Sequence, residues 1–283
     1  MKPPLGGARW VRQVRRDWNR AATAWERWET QVLHSLAAVD PALLRALALR
    51  PGQRVLDFGC GSGEPALAIA ELVLPRGSVL GIDIAQPMLA IARRRARLRG
   101  IRNVRFRRGD IARGLAGRFD RAVSRYGLMF VEDVPLALTR VRRCLMPGGR
   151  LALAVWGPLA RNPLFQVRAE AVRPFLKEPP PDPERVPHPL RLARPGLLPR
   201  LMREAGFRSV VVRGVRAPFV YRDADDYVGF NLGVPGPLQD LERSLSRRGR
   251  LELRRRLARG VGRYRNGAVL RVPGLAWVVV GRR

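Results

Sequence analysis

The chain has 283 residues, 46% of them hydrophobic, which is enough for one large domain with a substantial core or one domain with an added subdomain. No run of about 18 apolar residues is present and no apolar stretch follows the basic N-terminus, so neither a spanning helix nor a secretory signal is expected and the protein reads as cytoplasmic. The formal charge of +31 is almost entirely arginine, with Lys2 and Lys177 the only lysines.

That charge admits two readings: a nucleic-acid or anionic-membrane surface, or arginine spread over every exposed helix face. The runs at 91–109, 140–145 and 246–265 lack aromatic interleaving and a single dominant cluster, which favours solvated faces. Salt-sensitive, nonspecific adhesion to nucleic acid follows either way. Cys60 and Cys144 are too few for a disulfide framework and lack metal-ligand spacing, and with only His34 and His188 besides, no metal site is expected.

In chain order, residues 10–50 read as helix, with a second start at Asp40-Pro41 and a break at the RPG of 50–52. A strand follows at Arg54–Phe58, then a glycine loop and a helix to about Val73. A second strand ends at Asp83, a helix spans 86–100, and a third strand ends at Asp110. Residues 119–130 form a strand and its exit loop; then come a helix, the turn MPGG and an apolar strand at 150–157. Strand and helix alternating from 54 to 157 predict a doubly wound, mostly parallel α/β sheet. Residues 1–50 are expected as a helical cap, 51–157 as the core, and 158–283 as a lid or substrate-side insertion plus final strands completing the same sheet. In that last part, 177–196 is a proline-rich ordered loop or mobile lid, 197–207 a helix, 208–220 a strand or a long hairpin arm, and 223–263 helical. The closing GLAWVVVGRR is a strand buried on both faces.

The loop FGCGSG places Gly59, Gly61 and Gly63 at alternating positions between strand and helix. Glycine there permits positive φ and close backbone approach to a ligand. The loop has no lysine, and Glu64 follows directly, so a polyphosphate is disfavoured. Asp57, Asp83 and Asp110 each lie at the end of one of three strands, facing the crevice where ligands of such sheets bind. Aspartate also caps helices routinely, but three together are hard to attribute to capping.

The segments VLDFGCGSG, GIDIAQPML, RRGDIA, FDRAVSRYGLMFVEDV and RCLMPGGRLALAVW resemble the class I S-adenosylmethionine-dependent methyltransferases, and more narrowly their ubiquinone/menaquinone-biosynthesis-like, small-molecule branch. The likeness is dense over 50–157. It implies a Rossmann-like methyltransferase fold with S-adenosyl-L-methionine as cofactor. The loop of Gly59, Cys60, Gly61 and Gly63 would cradle the methionine part, with Asp57 orienting its amino group beside Ser124 and Arg125. Asp83, with Ile84 and Met88 nearby, would hold the ribose, and Asp110 and Ile111 the adenine.

In-line methyl transfer needs alignment of donor and acceptor more than it needs a base. Tyr126, after the fourth strand, is placed to touch the acceptor; His188, in VPHPL, and His34 are candidate bases. Trp18, Trp25, Trp28 and Phe165 either roof an apolar substrate or staple the N-terminal helices to the core. The place after the fourth strand reads SRYG rather than an N/D-P-P-Y/F motif, which disfavours amino methylation of bases. The best reading is methyl transfer to a small, apolar or aromatic acceptor. The alternatives are an RNA or protein methyltransferase using the basic surface, a non-catalytic cofactor-binding protein docking on acidic partners, and peripheral association with anionic membrane.

Overall fold

Strand β1 (Arg54–Phe58) buries Val55 and Leu56 although neighbouring side chains point to opposite faces, so both faces of its sheet are covered. A computed structural model describes residues 7–114 and 116–283, with the side chains of residues 31–34 outside that description. The chain enters through α1 (Ala8–Arg27), α2 (Glu29–Leu36), a 3₁₀ turn (Ala37–Val39) and α3 (Asp40–Leu47). The helix expected over 10–50 is therefore interrupted at Trp28, whose ring turns away to pack on Phe230 and against Gly233. The segment ends two residues before the RPG, where Ala48 adopts a left-handed φ of 47°.

Next come α4 (Ala66–Leu72), β2 (Ser78–Asp83), α5 (Gln86–Leu98), β3 (Val104–Arg108), β4 (Phe119–Arg125), α6 (Val134–Cys144) and β5 (Leu145–Trp156). The expected MPGG turn lies within β5 as a bulge: pairing with β4 jumps from Phe119↔Leu145 to Arg121↔Arg150. Cys144, at the end of α6, is buried, as is Cys60.

The remainder contains α7 (Pro163–Val172), α8 (Leu197–Glu204), β6 (Arg208–Arg216), β7 (Phe219–Tyr221), α9 (Ala224–Gly233), α10 (Pro237–Ser244), α11 (Arg247–Gly262), β8 (Arg265–Asn266), β9 (Val269–Val272) and β10 (Leu275–Arg282). The helical stretch expected at 223–263 is thus three helices, with Ser246 capping the last by accepting from Gly249 N at 3.2 Å. On α11, Leu253, Leu257 and Val261 recur every four residues and are buried, which fixes the inward face of this arginine-rich helix.

The main sheet has the order β3-β2-β1-β4-β5-β10-β6, and β10 alone runs against the others. The strands expected to complete it, β6 and β10, do join it, while β7, β9 and β8 form a separate three-stranded antiparallel sheet. Nor is β10 buried throughout: Val278 and Val279 are buried, while Trp277 and Val280 are half-buried. Strand order reverses between β1 and β4, and that switch point positions the site.

Candidate active site

At the switch point the loops leaving β1 and β4 meet backbone to backbone. Gly59 has φ +69°, and a Cβ added there would lie 2.9 Å from Gly127 Cα. No side chain fits that approach, which explains the first glycine of the loop. The loop is pinned to β2, since Gly59 N donates to Ile82 O at 2.7 Å and Cys60 N at 3.2 Å. Gly61 N donates to Asp83 Oδ2 at 2.8 Å, and Ala85 N to Oδ1 at 2.8 Å. A carboxylate has about four acceptor directions, so Asp83 keeps capacity for a ligand diol. Burial raises its pKa, while the amides of Ala85, Gly61 and Ile84 pull it back down.

A cleft opens over these loops. One end is lined by Gly59, Cys60, Gly61, Asp83, Ile84 and Met88, with Asp110 and Ile111 beyond β3. Asp110 accepts from Ala112 N at 2.9 Å, which orients its carboxylate. The rest of the lining is mostly apolar: Trp10, Val14, Trp18 and Trp25 from α1, Leu36, Phe130, Val131 and Tyr126, with Trp18 and Trp25 packed against the cluster that includes Met88. Trp18 meets both Trp25 and Phe130 edge to face, at 5.2 Å each. Trp10 Nε1 donates to Phe130 O at 2.8 Å, tying α1 to the exit of β4.

The cleft walls are acidic in a basic protein. Glu64, Asp83, Asp110 and Glu132 line it with one cation, Arg125, which is paired with Asp40 at 2.6 Å; from outside the lining, Arg99 pairs with Glu64 at 2.6 Å and Arg113 with Asp110 at 3.6 Å. Beneath the loop, Asp57 is fully buried, and neither carboxylate oxygen makes a hydrogen bond of ordinary geometry. Burial pushes its pKa up to about 8, with Arg125 lowering it and Asp83 raising it. Ser124 Oγ, behind Gly59, is likewise buried and unpartnered. Such orphans call for a donor-bearing, preferably cationic ligand nearby.

The structure brings most of the sequence-predicted residues together. Asp57, Gly63 and Ser124 support the loop from behind rather than forming the cleft wall. His188 is not among the lining residues; its Nδ1 accepts from Leu190 N at 3.0 Å, and burial beside Arg168 lowers its pKa. This removes it as a base at the cleft, because the proline-rich segment docks instead of hovering: Leu190, Leu192 and Ala193 enter the core, and Arg191 donates to Val131 O and Glu132 O. His34 lies outside the described residues as far as its side chain is concerned. Trp18 and Trp25 line the cleft, whereas Trp28 packs on Phe230 and Phe165 on Trp156. Tyr126 stacks on Trp156 at 4.3 Å, and its buried hydroxyl has no partner. Burial raises the tyrosine pKa, so the phenol stays protonated.

Sequence reading missed Trp10, Val11, Val14 and Glu132. The first three share one face of α1 at spacings of three and four, a detectable signal; nothing local marks Glu132. Among the described residues no group of three potential metal ligands forms a site, and no helix is long and apolar enough to cross a membrane.

Residues 49–171 match a family described as a methyltransferase domain. A 110-residue stretch is 42% identical to the 2-phytyl-1,4-naphtoquinone methyltransferase of Synechococcus elongatus, covering 38% of this chain and 47% of that protein. The chain thus spans about half the length of that curated relative. Among solved structures, the YcgJ protein of Bacillus subtilis superposes with a TM-score of 0.57 at 21% identity, over 88% of this chain and 98% of that one. A Haemonchus contortus phosphoethanolamine N-methyltransferase 2, solved in complex with S-adenosyl-L-methionine, gives 0.57 at 16% identity, over 100% of this chain and 62% of that one. The architecture is the Rossmann-like methyltransferase fold.

Proposed function

We propose that this chain, whose residues 49–171 form a methyltransferase domain, uses S-adenosyl-L-methionine to methylate a small apolar or aromatic acceptor. The observation that carries the reading is the cleft lining: four carboxylates, two of them paired with arginines outside the lining, and one arginine paired with Asp40, over a glycine loop backed by the orphaned Asp57. The cofactor carries an ammonium, a sulfonium and a ribose diol, and the residues present fit each of them. Asp57 and Ser124, behind the Gly59–Gly63 loop, suit the amino-acid end. Asp83 suits the diol with its remaining lone pairs, and Asp110 with Ile111 suits the adenine. A charge-assisted hydrogen bond contributes about 1.5–3 kcal/mol, so each contact is worth tenfold or more in affinity.

When bound, the cofactor supplies an electrophilic methyl group; the chain supplies alignment and exclusion of water. Trp10, Trp18, Trp25 and Phe130 form an apolar wall suited to a flat ring, in keeping with the quinone named for the cyanobacterial relative. Tyr126 is a protonated donor and not a base, and we assign it to hold an acceptor oxygen. Glu132, which lines the same cleft and accepts from Gly7 N, is the candidate to take a proton. The acidic walls disfavour a polyanionic acceptor, so we place the arginine-rich exterior outside the reaction, in a cytoplasmic protein that adheres to polyanions and anionic membranes in a salt-sensitive way.

The test is a methyl-transfer assay with labelled S-adenosyl-L-methionine against reduced naphthoquinones, simple phenols and RNA. Label in the quinol or phenol pool, reduced at least tenfold by Glu132→Gln, is the expected result. Label in RNA alone would overturn the acceptor assignment.

A further inference from the structure

The cofactor loop is held from outside by arginines that also hold the N-terminal helices. Arg95, on α5, donates from Nη1 to Ser62 O at 2.9 Å and pairs through Nη2 with Glu29 at 2.8 Å. Arg125, at the end of β4, donates to Glu64 O at 3.1 Å and pairs with Asp40 at 2.6 Å. Both guanidinium-bearing side chains are only 6% exposed. Glu29 opens α2 and Asp40 opens α3, so each acid belongs to the segment whose first helix forms the acceptor wall. A small second core of Ala22, Ala85, Met88 and Ile91, flanked by Trp18 and Trp25, ties α1 to α5 in the same region.

The physical consequence is a shared cost. If the N-terminal helices lift from the core, each arginine loses its carboxylate while remaining enclosed, and an enclosed cation without its partner is strongly unfavourable. The same two cations fix carbonyls of the glycine loop, so helix docking and loop shape are two ends of one arrangement. Coupling of this kind is reciprocal: what favours the formed loop favours the docked helices to the same extent.

We propose that Arg95, through Glu29, is a positioning residue that couples closure of the N-terminal helices over the acceptor wall to binding in the glycine loop. Glu29 touches neither ligand position; it acts through Arg95 on Ser62. Cofactor binding then closes the wall that receives the acceptor, and the two ligands bind in that order. The proposal rests on the methyltransferase reading above.

The test uses the full chain and S-adenosylhomocysteine, with calorimetric affinity, hydrogen exchange over residues 8–28 and melting temperature read for each variant. In wild type the ligand should slow exchange over 8–28 at least threefold. Glu29→Gln should weaken binding about tenfold and abolish that protection, while Glu29→Asp, which keeps the charge, restores part of both. Asp240→Asn removes an exposed pair, 2.6 Å long, that Arg20 of α1 makes, and should leave affinity unchanged. Should Glu29→Gln prove poorly folded, Arg95→Lys, which retains the charge but cannot span both partners, takes its place with the same expected loss. Wild-type affinity and protection in the Glu29 or Arg95 variant overturn the coupling, as does an equal loss in Asp240→Asn, which would make it general loosening. Absence of any binding to wild type overturns the cofactor reading and the coupling with it.

Discussion

The cleft and the exterior of this protein carry opposite charge, and the two are held at very different cost. On α11, Arg247, Arg248, Arg255 and Arg259 are exposed, and none has a carboxylate partner among the described residues. Water solvates them, so they cost the fold little beyond mutual repulsion. At the cleft and behind its loop the burden is reversed: burial drives the pKa of Asp57, behind the loop, up to about 8 and raises that of Asp83, in the wall. Charge that is expensive to keep points to function, whereas charge that is cheap to keep follows composition. A net charge of +31 therefore says less about the ligand than four acids in one crevice.

The comparison can be broken most severely at the glycine loop. Gly59→Ala forces a left-handed alanine, costing about 1–2 kcal/mol, and drives a methyl into the Gly127 backbone. It should lower the melting temperature by several degrees and abolish cofactor binding in a thermal-shift titration. Asp57→Asn should separate stability from function. The folded pKa of Asp57 lies above its unfolded value, so its stabilising contribution is complete below about pH 4, declines as pH rises, and is gone above about 8. The asparagine variant should thus melt higher than wild type at pH 9, by about 2–4 °C for each kcal/mol relieved, while binding cofactor at least tenfold more weakly. Equal melting at pH 9 would contradict the buried, unpartnered assignment.

A smaller effect is expected at Tyr126, whose hydroxyl is buried without a partner. Tyr126→Phe should leave the melting temperature unchanged or higher and reduce kcat by roughly tenfold, about 1.4 kcal/mol. A fall in stability would show that the hydroxyl serves the fold. The smallest effect on activity belongs to the exterior. Replacing Arg248, Arg255 and Arg259 by glutamine should keep kcat and cofactor affinity within about twofold, while each removed phosphate contact lowers the salt slope of heparin or DNA binding by about 0.9.

The half of the chain with strict alternation was the readable half. Strands at 54–58 and 78–83 and the acids at their ends lie where apolar runs and glycine breaks place them, because local pattern and tertiary burial agree there. The glycine loop, Asp83 and Asp110 were legible for the same reason. The bend at Trp28 was not, because it depends on Phe230 and Gly233, some 200 residues away. The separate β7-β9-β8 sheet was hidden too, its strands being two to four residues long. At the site, the sequence alone leaves the proline-rich segment of His188 open between an ordered loop and a lid. Docking of Leu190 and Leu192 and the reach of Arg191 to the β4 exit decide its place, and neither has a local signature. Glu132 was silent because an acid in a loop becomes a wall residue only once α1 folds over it.

The measurement that tests the central claim most directly is a calorimetric titration of S-adenosyl-L-methionine and its demethylated product into wild type and Asp83→Ala. The acidic-cleft account predicts micromolar binding to wild type, weakened tenfold or more in the variant, with both proteins folded. No binding to wild type, or equal binding to the two, would contradict it and leave the arginine exterior as the leading clue to what this protein does.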